Sequence, residues 1–239
     1  SVPTSCGTNP VVSHGIPLAL ALRGPIDTGL PADRPDTPGL VDRFGRVATD
    51  LRGSLTDKCN LRCQYCFAGQ GGYGQWRMLM SFDVARRAVD FLIAHSGPRE
   101  HCELDFFGGE PLMNWHVVQQ TIDYVHKQEK KHGKKIKMSL TTNGLLLDKE
   151  KVKYLTDNHI SLILSLDGRK EMHDRMRPGV HGEGTYDEIV KNLQYCVANR
   201  KGEEYYVRGT FTRYNMDFTS VVIDMIDKGL PAVSMEPVV

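Results

Sequence analysis

Asp50-Leu-Arg-Gly-Ser-Leu-Thr56-Asp-Lys-Cys59-Asn-Leu-Arg-Cys63-Gln-Tyr-Cys66-Phe-Ala-Gly-Gln-Gly-Gly72 begins as a short β-prone run and gives way to a glycine-rich loop carrying three cysteines. The same order of events, extended run then loop then amphipathic run, recurs along the chain. Strands are predicted at Asp50–Thr56, Cys102–Phe107, Ile136–Thr141, Ser161–Leu166, Tyr205–Phe211 and Ala232–Pro237. Helical periodicity fills the intervals at Ser81–Ala94, Trp115–Lys131, Asp148–Asn158, Thr185–Asn199 and Asp217–Lys228. Ser81 and Asp148 read as N-caps, and Gly133 and Gly229 as C-terminal stops. Strand followed by helix, about six times over, predicts an α/β fold with a parallel sheet, right-handed crossovers and helices outside. Six units suit a partial (β/α)6 TIM-like barrel rather than a closed eight-fold one. In either form ligands bind at the C-terminal ends of the strands, so the loops there carry the chemistry.

The chain has 6 cysteines, and their spacing is uneven: Cys59, Cys63 and Cys66 are crowded, while Cys6, Cys102 and Cys196 stand alone. A disulfide framework rarely has this form. Three thiolates so close on a Gly-rich loop can surround one metal centre. A structural zinc site would need a fourth Cys or His, and none follows nearby. Three ligands to an iron–sulfur cubane leave one iron open, which suits an iron that binds a substrate or cofactor. A zinc-holding, non-catalytic module is the alternative from a different class.

Cys-x3-Cys-x2-Cys with the aromatic Tyr65 just before the third cysteine resembles the signature of the radical S-adenosylmethionine (SAM) superfamily. The resemblance implies a [4Fe–4S] cluster on Cys59, Cys63 and Cys66 and SAM chelated at the open iron. It further implies reductive cleavage of SAM to a 5′-deoxyadenosyl radical that abstracts hydrogen from substrate. The later strand ends fit this implication. Gly108-Gly109-Glu110-Pro111 resembles the family's motif for the SAM amino group, with Glu110 as acceptor and two glycines permitting close approach. Thr141 and Asn143 after the third strand, and Ser165 and Asp167 after the fourth, offer hydroxyl, amide and carboxylate groups to the rest of SAM. Arg208 on the fifth strand is preferred to Arg213 as a carboxylate partner, and Glu236-Pro237-Val238 would flank adenine.

Two more specific resemblances cover different stretches. Residues 40–63, Leu40-Val-Asp-Arg-Phe-Gly-Arg-Val-Ala-Thr-Asp-Leu-Arg onward, resemble the amino-terminal part of the GTP 3′,8-cyclases of molybdenum-cofactor biosynthesis. Residues 64–239 resemble peptide maturases that form Cys thioether cross-links in the SCIFF class. The stretches that carry this are Leu104-Asp-Phe-Phe-Gly-Gly-Glu-Pro-Leu-Met-Asn-Trp and Leu164-Ser-Leu-Asp-Gly-Arg-Lys-Glu-Met-His-Asp-Arg-Met-Arg-Pro. The second resemblance implies a Cys-containing precursor peptide as substrate and an electron donor such as flavodoxin or ferredoxin. The cyclase activity is the alternative. The expected organisation is a Pro/Gly-rich N-terminal extension over 1–48 and a radical SAM core over 49–239, lacking the C-terminal auxiliary-cluster domain of such maturases.

Composition narrows the field around this reading. The 239 residues carry 30 Lys+Arg against 29 Asp+Glu, a formal +1, so no overall field favours nucleic acid or an anionic membrane. The lysine run from Lys127 to Lys137 lacks interleaved aromatics and reads as a solvated helix face. No stretch approaches the roughly 20 apolar residues of a membrane span. The apolar run Ile16–Leu22 is short and has no basic n-region, so the expected location is the cytoplasm. Of 12 prolines, seven precede Leu40, a composition that reads as a tail or wrapping segment.

Overall fold

A computed structural model describes residues 50–69, 78–200, 202–214 and 216–238. The Pro/Gly-rich extension over 1–48, with Cys6, lies outside the described residues. Six strands form one sheet: β1 (Asp50–Ser54), β2 (His101–Phe107), β3 (Lys135–Thr142), β4 (Ser161–Ser165), β5 (Tyr205–Phe211) and β6 (Val233–Pro237). Their spatial order is the order of the sequence, and every pairing is parallel. Parallel neighbours in sequential order, joined by right-handed crossovers, put every connection on the same face. The sheet therefore curls as an arc of a (β/α) barrel, as the alternating pattern predicts.

The helices are α1 (Phe82–His95), α2 (Trp115–His132), α3 (Lys149–Asp157), α4 (Lys170–Met176), α5 (Tyr186–Asn199) and α6 (Phe218–Asp227). The Ser81 side chain accepts from the Val84 N–H and the Asp148 side chain from the Lys151 N–H, so both N-caps are real. Gly133 closes α2 in the left-handed conformation, and its N–H is donated to the Glu129 carbonyl. Helix α4 and a 3-10 turn over Pro111–Asn114 have no counterpart in the sequence-based reading. Seven residues, Lys-Glu-Met-His-Asp-Arg-Met, are too few to show a helical period, and only His173 and Met176 among them are buried.

Strand alternation sorts the side chains into two sets. Leu51, Cys102, Leu104, Phe106, Ile136, Met138, Leu140, Leu162, Leu164 and Val207 are buried and join the core with Val118, Ile122, Val125, Ile189, Leu193 and Cys196 from the helices. Cys102 and Cys196 are thus core thiols. The opposite parity, facing the hollow of the arc, is mostly polar, with Arg52 and Asp105 on β1 and β2, Lys137 and Ser139 on β3, Ser161 on β4 and Arg208 on β5, beside the apolar Phe107 and Ile163. A sheet that buries one face and keeps the other mostly polar leaves the hollow for a ligand.

Strand β1 stops at Ser54, two residues short of the expected end, because the chain turns away to form the cysteine loop. Leu55 N–H still reaches the Phe107 carbonyl (2.9 Å), but Thr56 pairs antiparallel with Leu79. The departure is pinned by the buried Asn114, whose side-chain amide donates to the carbonyls of Leu55 and Met80, both at 2.9 Å. Asn114→Ala takes the side-chain donor from the Met80 carbonyl, while the Leu55 carbonyl keeps the Met80 N–H at 2.9 Å, and is expected to lower the unfolding free energy by about 1 kcal/mol. The check is a urea titration, where the midpoint falls with the slope unchanged; a wild-type midpoint would show the amide to be dispensable.

Candidate functional site

At the C-terminal rim of the arc, β-pairing sets Ser165, Arg208 and Ser234 side by side, and Thr141, Ile163 and Tyr206 one step below. Thr141, Ser165 and Arg208, expected from sequence to serve one ligand, thus share the hollow face. Arg208 Nη2 lies 2.9 Å from Glu236 Oε1 and donates to the Tyr206 hydroxyl at 2.9 Å. The Nε–H of Arg208 is buried and has no partner among the described residues. Deeper in the hollow, Arg52 pairs with Asp105 at 3.3 Å, Ser139 also donates to Asp105, and Lys137 pairs with Glu204 at 2.6 Å.

The cysteine loop roofs this rim. Gly109 N–H donates to the Thr56 carbonyl (2.8 Å) and Glu110 N–H to the Lys58 carbonyl (2.9 Å), so the segment after β2 is stitched directly to the approach to Cys59. A Cβ on Gly109 would stand 2.2 Å from the Lys58 oxygen and 3.3 Å from Cys59 Cβ. The second glycine is thus required by contact with the cysteine loop itself, whereas the sequence reading assigned both glycines to close approach of a ligand. Gly108 has φ +129°, a conformation that an L side chain resists. Phe67, just past Cys66, stacks on Phe107 with ring centroids 5.9 Å apart.

The Glu110 carboxylate is buried beneath the loop. It accepts from Leu112 N–H (3.1 Å), the Thr142 hydroxyl (2.8 Å) and Asn143 N–H (2.8 Å). Burial nevertheless pushes its pKa up to about 7, against the pull of the bonds from Asn143, Thr142 and Leu112. Thr142, which the sequence reading passed over in favour of Thr141, is the hydroxyl that touches Glu110. Asn143 reaches the loop: its side-chain amide donates to Asn60 Oδ1 (2.8 Å) and lies 3.9 Å from Cys59 Sγ, while Leu61 N–H donates to the same sulfur at 3.5 Å. The side-chain amide nitrogen of Asn60 is buried without a partner among the described residues.

Asp167, expected to line the SAM site, is fully buried with both oxygens engaged. Oδ2 accepts the Tyr65 hydroxyl at 2.5 Å and lies 3.0 Å from Arg177 Nε; Oδ1 accepts Thr210 N–H at 3.0 Å. Tyr65 is therefore held from below by its hydroxyl. Arg177 and His173, both buried in this network, were not singled out from sequence. The one available signal was their shared run His173-Asp-Arg-Met-Arg177-Pro, polar yet lying directly after a strand end.

Cys59, Cys63 and Cys66 are free and partly exposed. Burial pushes the Cys59 thiol up to about 11, and that of Cys63 upward despite Arg177. Without a bound cation these two thiols are protonated at neutral pH, as expected of a ligand set that metal binding deprotonates. Among the described residues no three His, Cys, Asp or Glu side chains gather closely enough to hold a single metal ion. A cubane attaches each cysteine to a different iron, so its three ligands stand further apart than those of a single ion.

The family model described as the radical SAM superfamily matches residues 54–210, from the end of β1 into β5. The chain belongs to the radical SAM superfamily. The cofactors of that superfamily are a [4Fe–4S] cluster and SAM, and its barrel is the arc described above. Similar sequences include the GTP 3′,8-cyclase of Paenarthrobacter nicotinovorans, 38% identical over 147 residues, which covers 59% of this chain and 39% of that protein. The Streptomyces coelicolor GTP 3′,8-cyclase is 41% identical over 117 residues, 48% of this chain and 31% of that protein. The chain therefore spans well under half the length of these curated relatives. The likeness to cyclases also runs much further than residues 40–63. Among solved structures, anSMEcpe with bound AdoMet and Cp18Cys peptide has a TM-score of 0.66 at 25% identity, covering 79% of this chain and 50% of that one. Methylornithine synthase matches in fold with a TM-score of 0.51 at 15% identity, over 82% of this chain and 55% of that one.

For a radical SAM protein the raised pKa of Glu110 has a measurable consequence. Its folded value, about 7, lies above the ordinary carboxylate value of 4.5, so between these the native state binds more protons than the unfolded state. Stability contributed by this group is then present below about pH 4.5 and is lost as pH rises towards 7. In the cluster-free protein, Glu110→Gln should remove that decline. Urea midpoints at pH 5 and pH 8 should differ less in the variant than in wild type, and equal differences would count against a buried, proton-retaining Glu110.

Proposed function

We propose that this chain is the SAM-cleaving core of a peptide-modifying radical SAM enzyme. The observation that carries the reading is the stitching of a buried carboxylate, Glu110, directly beneath a loop of three free thiols at the open rim of the arc. Cys59, Cys63 and Cys66 are the ligands of the cluster. Glu110 offers its carboxylate to the SAM ammonium, whose positive charge would favour the ionised form that burial alone disfavours. Gly108 and Gly109 hold Glu110 against the loop. Thr141, Ser165 and Arg208, on the hollow face, and Asn143, against Cys59, orient the remaining polar groups of SAM, and Tyr65 borders the same space. When bound, the reduced cluster supplies one electron that splits SAM into methionine and a 5′-deoxyadenosyl radical, which takes a hydrogen atom from the substrate and leaves as 5′-deoxyadenosine.

A peptide substrate is supported by the charge of the hollow. Arg52, Lys137 and Arg208 each face a carboxylate, Asp105, Glu204 and Glu236 respectively. A triphosphate would have to compete with those carboxylates for these three cations. A peptide brings its own backbone donors and acceptors and no such demand. The bound peptide of the similar anSMEcpe structure agrees with this reading. A Cys-containing peptide matured to a thioether and a flavodoxin- or ferredoxin-type electron donor complete the proposal, with the cytoplasm as the setting. No helix among the described residues is long and apolar enough to cross a membrane. The second reading, a GTP 3′,8-cyclase, is favoured by the 38% identity to such enzymes.

Anaerobic reconstitution with iron and sulfide, reduction with dithionite and addition of SAM should release 5′-deoxyadenosine. Cys59→Ala, Cys63→Ala and Cys66→Ala should each reduce the yield to background, and an undiminished yield would refute the ligand assignment. Substrate class is read by isotope. Deuterium should pass from a perdeuterated Cys-containing peptide into 5′-deoxyadenosine, and its passage from deuterated GTP instead would make the cyclase the correct reading.

A further inference from the structure

Tyr65 lies between two of the three cysteines, and its hydroxyl is the hub of a buried network that the SAM site does not use. Asp167 Oδ2 takes the Tyr65 hydroxyl at 2.5 Å and faces Arg177 Nε at 3.0 Å. The Arg177 guanidinium carbon lies 5.3 Å from the centre of the Tyr65 ring, so one cation faces both the carboxylate and the ring that the carboxylate holds. Arg177 is tied to the loop through its neighbours as well. Gln64 N–H donates to the Met176 carbonyl (2.9 Å), Arg62 N–H to the Pro178 carbonyl (2.8 Å), and Leu61 pairs antiparallel with Gly179. The run from Met176 to Gly179 is thus a strand-like backing to the segment that carries Cys63.

The rest of the network fixes that backing to the sheet. Asp167 N–H lies 3.3 Å from His173 Nδ1, His173 Nε2 lies 3.2 Å from the Thr185 hydroxyl oxygen, and Thr185 donates its one hydroxyl proton to the Arg177 carbonyl at 2.8 Å. Because that proton is committed, Thr185 accepts from His173, which places the imidazole proton on Nε2 and leaves Nδ1 to accept from Asp167. The bonds among Asp167, His173, Thr185 and the Arg177 carbonyl each have one defined direction, whereas the Arg177 Nε–H is buried beside Asp167 without an aligned hydrogen bond; burial holds His173 neutral, its pKa pushed down to about 4.

We propose that Asp167 and Arg177 are positioning residues for the cysteine loop. They lock Tyr65 and so fix the separation and direction of Cys63 and Cys66 before the cluster arrives. The proposal rests on the reading of the three cysteines as cluster ligands. It removes Asp167 from the SAM contacts and assigns the polar run after β4 to loop geometry.

Removing one member of a buried ion pair leaves an uncompensated charge and risks the fold, so the pair is replaced together in Asp167→Asn/Arg177→Met. Tyr65→Phe, which keeps the ring and loses only the hydroxyl, is the second variant. Each full chain is reconstituted anaerobically and assayed for iron and sulfide, for the EPR spectrum of the reduced cluster with and without SAM, and for the rate of iron loss to a chelator. The expected result is a wild-type urea midpoint with iron loss at least about tenfold faster in the double variant and a smaller acceleration in Tyr65→Phe, the size of effect typical of groups behind metal ligands. The SAM-induced change in the EPR spectrum should weaken in both. Folded variants with wild-type iron-loss rates and spectra would overturn the proposal while leaving the cluster reading intact. A wild-type chain that takes up no iron and sulfide would overturn both.

Discussion

The contact on which the rest of the site depends is the one between two backbones, Gly109-Glu110 and Thr56-Asp-Lys58. Hydrogen bonds from Gly109 to Thr56 and from Glu110 to Lys58 continue the β1–β2 pairing past the point where β1 has ended. They bring the cysteine loop over the end of β2 instead of letting it swing away from the sheet. The closeness leaves no room for a Cβ at position 109, and the same two bonds that seat the loop aim the Glu110 carboxylate inward. The cysteine loop and the Glu110 carboxylate are thus positioned by one interaction, and neither can be moved without the other. Asn114 acts one layer below, by pinning Leu55 and Met80 where the chain leaves the sheet.

The protein holds two buried titratable groups near this contact in the charge state that costs least, and they pull in opposite directions with pH. Glu110 is disposed to keep a proton up to about 7, and His173 to shed one down to about 4. Between about pH 4.5 and 6.5 the first favours the fold as pH falls and the second as pH rises. The groups differ in purpose as well. His173 has both nitrogens engaged inside the protein, so its neutrality is complete in itself. Glu110 has three donors and no cation, which is the condition of a carboxylate waiting for one.

Much of this was legible in the sequence because it is written in local periodicity and in residue types that chemistry demands at short range. Alternating strands and amphipathic helices gave the arc, and the crowding of Cys59, Cys63 and Cys66 gave the loop. What could not be read depends on contacts between residues far apart in the chain. The Tyr65–Asp167 bond spans 102 positions, and no local pattern announces it. Asp167 reads as a site residue because strand-end carboxylates often are, and its contacts with Tyr65, Arg177 and Thr210 come from parts of the chain that no local pattern joins to it. Helix α4 escaped for a different reason: it is two turns long, and its buried side serves Asp167 and Thr185 through His173, so it carries polar chemistry where a helical period would need apolar residues. Thr142 rather than Thr141 touches Glu110 because β3 runs one residue further than expected, and each added residue reverses the face presented.

Charge arithmetic inside the site joins these observations to the chemistry. Cys59 and Cys63 hold their protons and Glu110 is close to half-protonated at neutral pH, and Arg52, Lys137 and Arg208 are each matched by a carboxylate. The arrival of positively charged partners then favours release of protons from ligands that are already in place, so part of the binding free energy goes into ionising groups rather than into ordering the chain. That division requires a rigid loop, because a loop that also had to be ordered would forfeit the gain. The backbone stitching at Gly109 on one side of the cysteines and the buried bracket of Asp167 and Arg177 on the other supply the rigidity, from opposite ends of the same eight-residue turn.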